Sequence, residues 1–234
     1  ARFDRLQESV AEMDVLVRME RRGLPYNVAE SLRWAEKIEA AAAEIVPTLP
    51  FEPTTPQAVE FYFSGGRTKR GAPCLGLDPI KLTKPTKTSL GGNPSLDAEV
   101  LESLAAQDMP HARQFYGLRQ LQDAAGRYYR GYAEAAGPDG RIRTRFRQVG
   151  TKPGRLSCER INLTAIPHDH RMLAAGAPIL EEAPSPRALI EMPEGFEGWH
   201  LDLAQAELRV ASQYAGATSM LELVESGQDA HGVT

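Results

Sequence analysis

Asp202 stands near the end of a short run, Gly198 to Leu203, in which Trp199, Leu201 and Leu203 alternate with His200 and Asp202. Successive side chains of an extended chain point to opposite faces. The spacing therefore predicts a strand over 198–203, with its apolar face on a core and Asp202 turned outward at the lip. A carboxylate there suits a hard cation. Magnesium prefers oxygen, keeps several waters, and is usually held by one or two carboxylates together with substrate phosphates. A helix is expected over 205–215, and the free N–H groups of a helix N-terminus suit a triphosphate. Glu207 and Arg209 lie two residues apart and so do not face each other on that helix. The competing reading makes Asp202 a cap for the helix and Glu207 and Arg209 ordinary solvated residues. Position alone leaves both readings open.

The elements that must position these residues follow from the rest of the chain. Leu6, Val10, Met13 and Val17 recur at helical spacing and predict an amphipathic helix over 3–22, ended by Gly23 and Pro25. Asn27 is the expected cap of a second helix, 28–46. Thr55 is read as the cap of a third, with Pro56 at its first position. Residues 65–94 are rich in Gly, Pro, Lys and Thr without any period and predict a long, mobile surface loop. Helices are expected from about 95 and over about 110–134, the latter carrying Phe115, Leu118, Leu121, Tyr128, Tyr129 and Tyr132. Arg141, Arg143, Arg145 and Arg147 then alternate with Ile142, Thr144 and Phe146. In one strand that would set four guanidiniums on one face, ~6.6 Å apart. A solvated face is the bland account; a polyanion lying across it is the better one. Segment 171–186 reads as a loop, and 187–192 and 198–203 as short strands about a Pro193–Gly195 turn. A last helix is expected over 218–226. Helices first, mixed strands and helices after, point to an α+β architecture.

Net charge over the 234 residues is −4, with 42% hydrophobic and 25% charged residues, which is ordinary for a globular protein. The distribution is not ordinary. Residues 111–160 hold eleven Lys and Arg against four acids, and residues 65–88 hold six against Asp78 alone. Local charge is what phosphates feel, because salt screens beyond about 10 Å. Cys74 and Cys158 lie far apart and form neither a zinc pattern nor a disulfide framework. A reducing, cytoplasmic setting is expected. No apolar run is long enough to span a bilayer, so no membrane partner is expected. The first residue is not Met, and both ends look cut, so a piece of a longer protein is expected.

The wording of the sequence carries further. "LDLAQAELRVASQYAG" resembles the first palm motif of family A (DNA polymerase I-like) DNA polymerases, DYSQIELR, with Asp202, Gln205, Glu207, Leu208 and Arg209 matching. "GRLSCERINLTAIP" is similar to the family's GRLSSSNPNLQNIP at Gly154, Arg155, Leu156, Ser157, Asn162, Leu163, Ile166 and Pro167. The "PEG" turn and Arg187 keep the family's distance before the Asp. "DAHGVT" resembles its D-x-H-x-x-T, and "MERRGLPYN" its thumb opening. The resemblance covers nearly the whole chain.

That resemblance implies a helical thumb over 1–135 with a basic tip at 65–94. The first part of an antiparallel-sheet palm with packed helices would occupy 136–234. The fingers and the second palm carboxylate would lie beyond Thr234. Asp202 would be a catalytic residue and a ligand of a two-magnesium site that activates the primer 3′-hydroxyl and steadies the leaving pyrophosphate. Leu203, Gln205, Glu207 and His231 would bind the nucleotide, Glu207 excluding a ribose 2′-hydroxyl. Arg155, Asn162, Thr164, Arg187, Lys84, Lys87, Arg143 and Arg145 would bind DNA. Primer-template DNA and deoxynucleoside triphosphates are the implied partners, and a monomer the implied state. Thr164 and Ala165 replace the family's Gln and Asn before Ile-Pro, and Ala204 and Ala206 replace its Ser and Ile. These departures put minor-groove contacts and sugar selectivity in question. A non-catalytic duplex-binding module is the alternative, since the basic segments serve it equally. An unrelated metal-dependent hydrolase using Asp202 with His168, Asp169 and His170 would leave the match at 154–167 unexplained.

Overall fold

The computed structural model describes residues 13–85, 91–148, 155–166, 177–199, 201, 203 and 205–226. They fall into two compact units, Ala1–Glu191 and Met192–Thr234.

In the first unit, residues 13–22 form helix α1, which ends at Gly23 in the left-handed region. A Cβ at Gly23 would sit 2.9 Å from both the Ile142 carbonyl and the Arg143 side chain, so only glycine allows this close crossing. Met13 and Val17, expected to face a core, are instead exposed, at 50% and 42%. What ties the α1 region to the sheets is polar: Glu20 Oε1 accepts from the Phe146 N–H at 2.6 Å. Strand β1 (Leu24–Pro25) follows, then helix α2 (Val28–Ile45). Asn27 caps α2 as expected, its Oδ1 accepting from Glu30 N–H at 3.0 Å. Its buried face, Ser31, Trp34, Ala35, Ile38 and Ala42, keeps the 3–4 spacing of a helix packed on one side.

Helix α3 spans Thr55–Phe63. Its cap position is Thr54, not Thr55, and no side chain bonds the first turn; the Pro at the start carries the signal instead. Helices α4 (Ala98–Ala106, capped by the Asp97 carboxylate) and α5 (Ala112–Asp123) follow. The helix expected over 110–134 exists but changes pitch: a π-helical stretch, Ala124–Arg130, leads into α6 (Gly131–Ala135). Phe51, Phe61, Tyr62 and Phe115 meet edge-on or tilted, with centroids 4.9–6.1 Å apart, in the middle of the core. Burying one such ring contributes about 1.5–3 kcal/mol.

The alternating arginines do not make one strand. Strand β2 (Arg141–Ile142) pairs antiparallel with β1, and β3 (Arg145–Arg147) pairs with β4 (Ser157–Glu159) in a separate two-stranded sheet. The break falls at Thr144. Its buried hydroxyl shares its proton between the carbonyls of Glu159 at 2.8 Å and Ile161 at 2.7 Å. That bond takes the backbone out of the ladder. Small antiparallel sheets among helices bear out the α+β class.

Residues 187–190 are a turn, not a strand: Ala188 N–H donates to Ser185 O and Ile190 N–H to Arg187 O. The Leu189 carbonyl instead receives the Asn27 N–H at 2.8 Å. Helix α7 (Ile179–Glu182) precedes that turn. In the second unit, the described residues of 198–203 form no strand, and Trp199, Leu201 and Leu203 are 81%, 88% and 79% exposed. An alternating pattern becomes a strand only when a partner strand takes its backbone groups. Helices α8 (Ala206–Ala215) and α9 (Thr218–Glu225) agree with expectation.

Candidate nucleic-acid interface and catalytic motif

Two groups of predicted residues sit on the two units. On the first unit, β4 leads into a one-turn 3-10 helix, Leu163–Ala165, through Arg160 and Ile161. Asn162 opens that turn. Its Oδ1 accepts from the Thr164 N–H at 3.2 Å and from the Thr164 hydroxyl at 2.6 Å. With the oxygen so occupied, the exposed amide of Asn162 presents N–H donors. Minor-groove edges of every base pair present acceptors. Arg187 is half-buried and donates to the Ile166 carbonyl at 3.1 Å, so its guanidinium braces the end of the same turn. Arg155 is exposed at the start of the segment. Thr144, from below, holds the carbonyls of Glu159 and Ile161 and so sets where the turn begins. Sequence reading missed Thr144 because it took the residue as one more member of an apolar strand face. A threonine flanked by arginines, at the point where a strand must break, was the available signal.

The basic segments are less free than their charge implies. Arg143 forms a fork with Asp139, at 2.9 and 2.6 Å, and donates to the Arg21 carbonyl at 3.0 Å. The guanidinium in turn holds the Asp139 carboxyl down to about 2. Arg141 caps the carbonyls of Arg22 and Gly23, and Arg147 pairs with Glu159. Arg145 is exposed and makes no side-chain hydrogen bond or ion pair among the described residues. In the loop, Arg70 bonds the carbonyls of Val46 and Leu49 and the Glu52 carboxylate. Lys81 bridges Asp97 and Glu99, and the two carboxylates push its pKa up. Thr68 is buried and donates to the Pro50 carbonyl at 2.7 Å. This part of the expected loop is thus pinned to the helices, while Lys84 stands exposed.

On the second unit, α8 begins just after Gln205, whose φ of +53° is in the left-handed region. A non-glycine residue there costs on the order of 1–3 kcal/mol and marks a position worth a functional hypothesis. Glu207 is exposed on the first helical turn, and Leu203 is exposed before it. Because the cap position is Gln205, Asp202 lies three residues upstream of it. That weighs against the capping reading, since a cap side chain acts from the cap position itself. Asp202, His231 and Lys87 lie outside the described residues, as do Gly154 and residues 168–170. Among the described residues no group of three or more His, Cys, Asp and Glu could hold a metal. A cage therefore does not form from them.

No helix among the described residues is long and apolar enough to cross a membrane. Residues 72–234 match the model of DNA polymerase family A. The chain is 30% identical over 230 residues to the thermostable DNA polymerase I of Thermus aquaticus, spanning 94% of this chain and 24% of that protein. It is 32% identical over 161 residues to DNA polymerase I of Chloroflexus aurantiacus, 68% of this chain and 16% of that one. A phage enzyme, the DNA polymerase of Escherichia phage T5, is 29% identical over 150 residues, 64% of this chain and 16% of its own. The chain thus spans a quarter or less of these curated relatives. Among solved structures, its fold is similar to the POL domain of Pol1 from M. smegmatis, in complex with DNA primer-template and dNTP. That likeness has a TM-score of 0.64 at 21% identity, over 92% of this chain and 35% of that chain.

Proposed function

The chain belongs to DNA polymerase family A, and from that premise we propose that it supplies the thumb and the first part of the palm of a template-directed DNA polymerase. The observation that carries the proposal is the motif from Asp202 to Arg209 at the entry of α8, with Gln205 in a strained backbone conformation and Glu207 on the first turn. Strain at that turn fixes where the helix starts, and so sets Glu207 on its first turn.

Residues of the first unit take the duplex. Asn162 offers amide donors to minor-groove acceptors, with Thr164 orienting its amide and Arg187 bracing the turn. Arg155, Arg145, Lys84 and Lys87 supply charge to the phosphates. Arg143, already forked to Asp139, contributes less. Residues of the second unit take the nucleotide: Leu203 and Gln205 border it, Glu207 closes on the sugar where a 2′-hydroxyl would sit, and His231 meets the phosphates. Asp202 is the one carboxylate of the motif suited to a hard cation. Magnesium bound there would neutralise phosphate charge during nucleotidyl transfer. One carboxylate is not a complete two-metal site, so activity is expected of the full-length polymerase and not of these residues alone.

The test is magnesium-dependent primer extension by the full-length protein that contains this chain. Asp202→Ala is expected to bring extension to background while leaving duplex binding intact. Glu207→Ala is expected to admit ribonucleotides more readily. Duplex binding with no extension from the unaltered protein would select the non-catalytic clamp instead.

A further inference from the structure

The π-helical stretch and the turn after β4 face each other across a cleft of about 480 Å³. We propose that Arg127 and Arg160, one on each wall, form a two-guanidinium clamp for a backbone phosphate of duplex DNA. The proposal rests on the nucleic-acid reading above and adds to it two residues: Arg127, outside both motifs, and Arg160, inside the second at a position that does not match the family pattern.

The lining defines the ligand by what it offers. Arg127, Arg160 and Asn162 bring donors, Tyr128 brings an aromatic wall, and among the described residues no Asp or Glu lines the cleft. Asn162 has its oxygen engaged by Thr164, so it too presents donors. A cleft of donors that carries two guanidiniums takes an anionic acceptor. Guanidinium and phosphate match in geometry as well as charge.

The walls are built to hold those side chains. Arg160 has φ of +71°, in the left-handed region, which costs a non-glycine residue on the order of 1–3 kcal/mol. The strain is held in place because the Thr144 hydroxyl grips the carbonyls on either side, those of Glu159 and Ile161. Arg160 is exposed and makes no side-chain hydrogen bond or ion pair among the described residues. Across the cleft, Arg127 is in an ion pair with Asp123 at 3.3 Å, with the two side chains 65% and 47% exposed. Such surface pairs are worth about 0–1 kcal/mol and yield to a better anion. Gly126 and Gly131 add bare backbone to the lining. A Cβ on Gly126 would meet nothing within 4 Å, whereas one on Gly131 would stand 2.8 Å from the Gly126 carbonyl. Single π turns recur at functional sites, and here the stretch places Arg127 beside glycine backbone that a phosphate can approach.

A phosphate could belong to the duplex or to a free triphosphate, and the experiment separates them. Primer-template binding by the full-length protein is measured across a range of salt, alongside binding of a deoxynucleoside triphosphate. Arg127→Ala and Arg160→Ala should each lower the slope of log K against log salt by about one, and together by about two. The loss should be the same for unrelated sequences, and triphosphate binding should not change. Arg160→Gly removes the backbone strain and should lose the same slope, which separates charge from folding. Arg160→Lys should restore most of it. Unchanged slopes in the double variant, with the unaltered protein binding duplex, would overturn the clamp and leave the polymerase reading standing. Weakened triphosphate binding with unchanged duplex slopes would move the anion to the nucleotide and overturn the duplex assignment. An unaltered protein that binds no duplex would remove both.

Discussion

Residues 1–191 and residues 192–234 treat their apolar side chains in opposite ways. In the first unit Phe51, Tyr62, Leu118 and Ile142 are fully buried. In the second, Trp199, Leu201, Leu203 and Tyr214 are 79–90% exposed, and the buried residue of α8 is Ser212. A segment that short buries only a small share of its surface on folding. The first unit therefore buries a core of its own, whereas the described residues of the second present large apolar groups before and along α8. The lesson is a division between a scaffold with a core of its own and a segment whose large apolar groups are not covered by its own packing.

Substitutions can break or sharpen that division. The largest effect is expected from Phe51→Ala, which empties the centre of the aromatic cluster and should cost about 3–5 kcal/mol in urea unfolding. Ser31→Ala comes next. Its hydroxyl donates to the Tyr129 carbonyl at 2.8 Å and meets Tyr26 Oη at 2.9 Å, and the orphaned buried acceptor should cost about 1–3 kcal/mol. Asn27→Ala should cost about 1 kcal/mol through loss of the α2 cap, with Asn27→Asp recovering most of it. In the second unit, Trp199→Ser should stay within about 0.5 kcal/mol. A loss comparable to Phe51→Ala would mean that Trp199 is buried in solution and would end the contrast. The two tryptophans report separately, since Trp34 is 9% exposed and Trp199 81%. Acrylamide should quench Trp199 in a Trp34→Phe variant far more than Trp34 in a Trp199→Phe variant.

Two pH dependences belong to the first unit. Burial pushes the Tyr26 and Tyr132 hydroxyls up to about 12, from an ordinary value near 10. The folded state therefore holds their protons more tightly than the unfolded chain. Stability from this source is complete below pH 10 and should fall as pH rises toward 12. Asp139 has the opposite sign: held down to about 2 by Arg143, from an ordinary 3.8, it contributes above pH 3.8 and loses that contribution as pH falls toward 2. The acid effect should be the smaller, because this pair is solvent-exposed. Arg143→Ala should remove it from an acid titration of stability.

Local features were legible from residues alone because their partners lie within a turn. Asn27 caps through Glu30, three residues away, and the apolar face of α2 repeats within the helix. The motif around Asp202 was legible as wording, since it is a contiguous string. Where the chain depended on distant partners, pattern misled. The four arginines read as one strand, but Thr144 finds carbonyls 15 and 17 residues on, and that divides them between two sheets. Residues 187–192 read as a strand, but the Asn27 N–H takes the Leu189 carbonyl from across the fold. The π stretch had no readable signal, because its side-chain pattern does not separate it from the α-helices on either side.

The sequence by itself determined the family and the capped and amphipathic helices, and it supplied the residues proposed here for metal, sugar and phosphate, because short-range bonds and contiguous motifs need no partner from elsewhere. Only the tertiary structure decided which guanidiniums are spent on the protein and which remain for a ligand. Arg141 is committed to carbonyls 118 and 119 residues back, and Arg160 is set opposite Arg127 across a shared cleft. Such pairings depend on closing long loops between distant parts of the chain, and no local pattern encodes which carbonyl or carboxylate will be waiting at the other end.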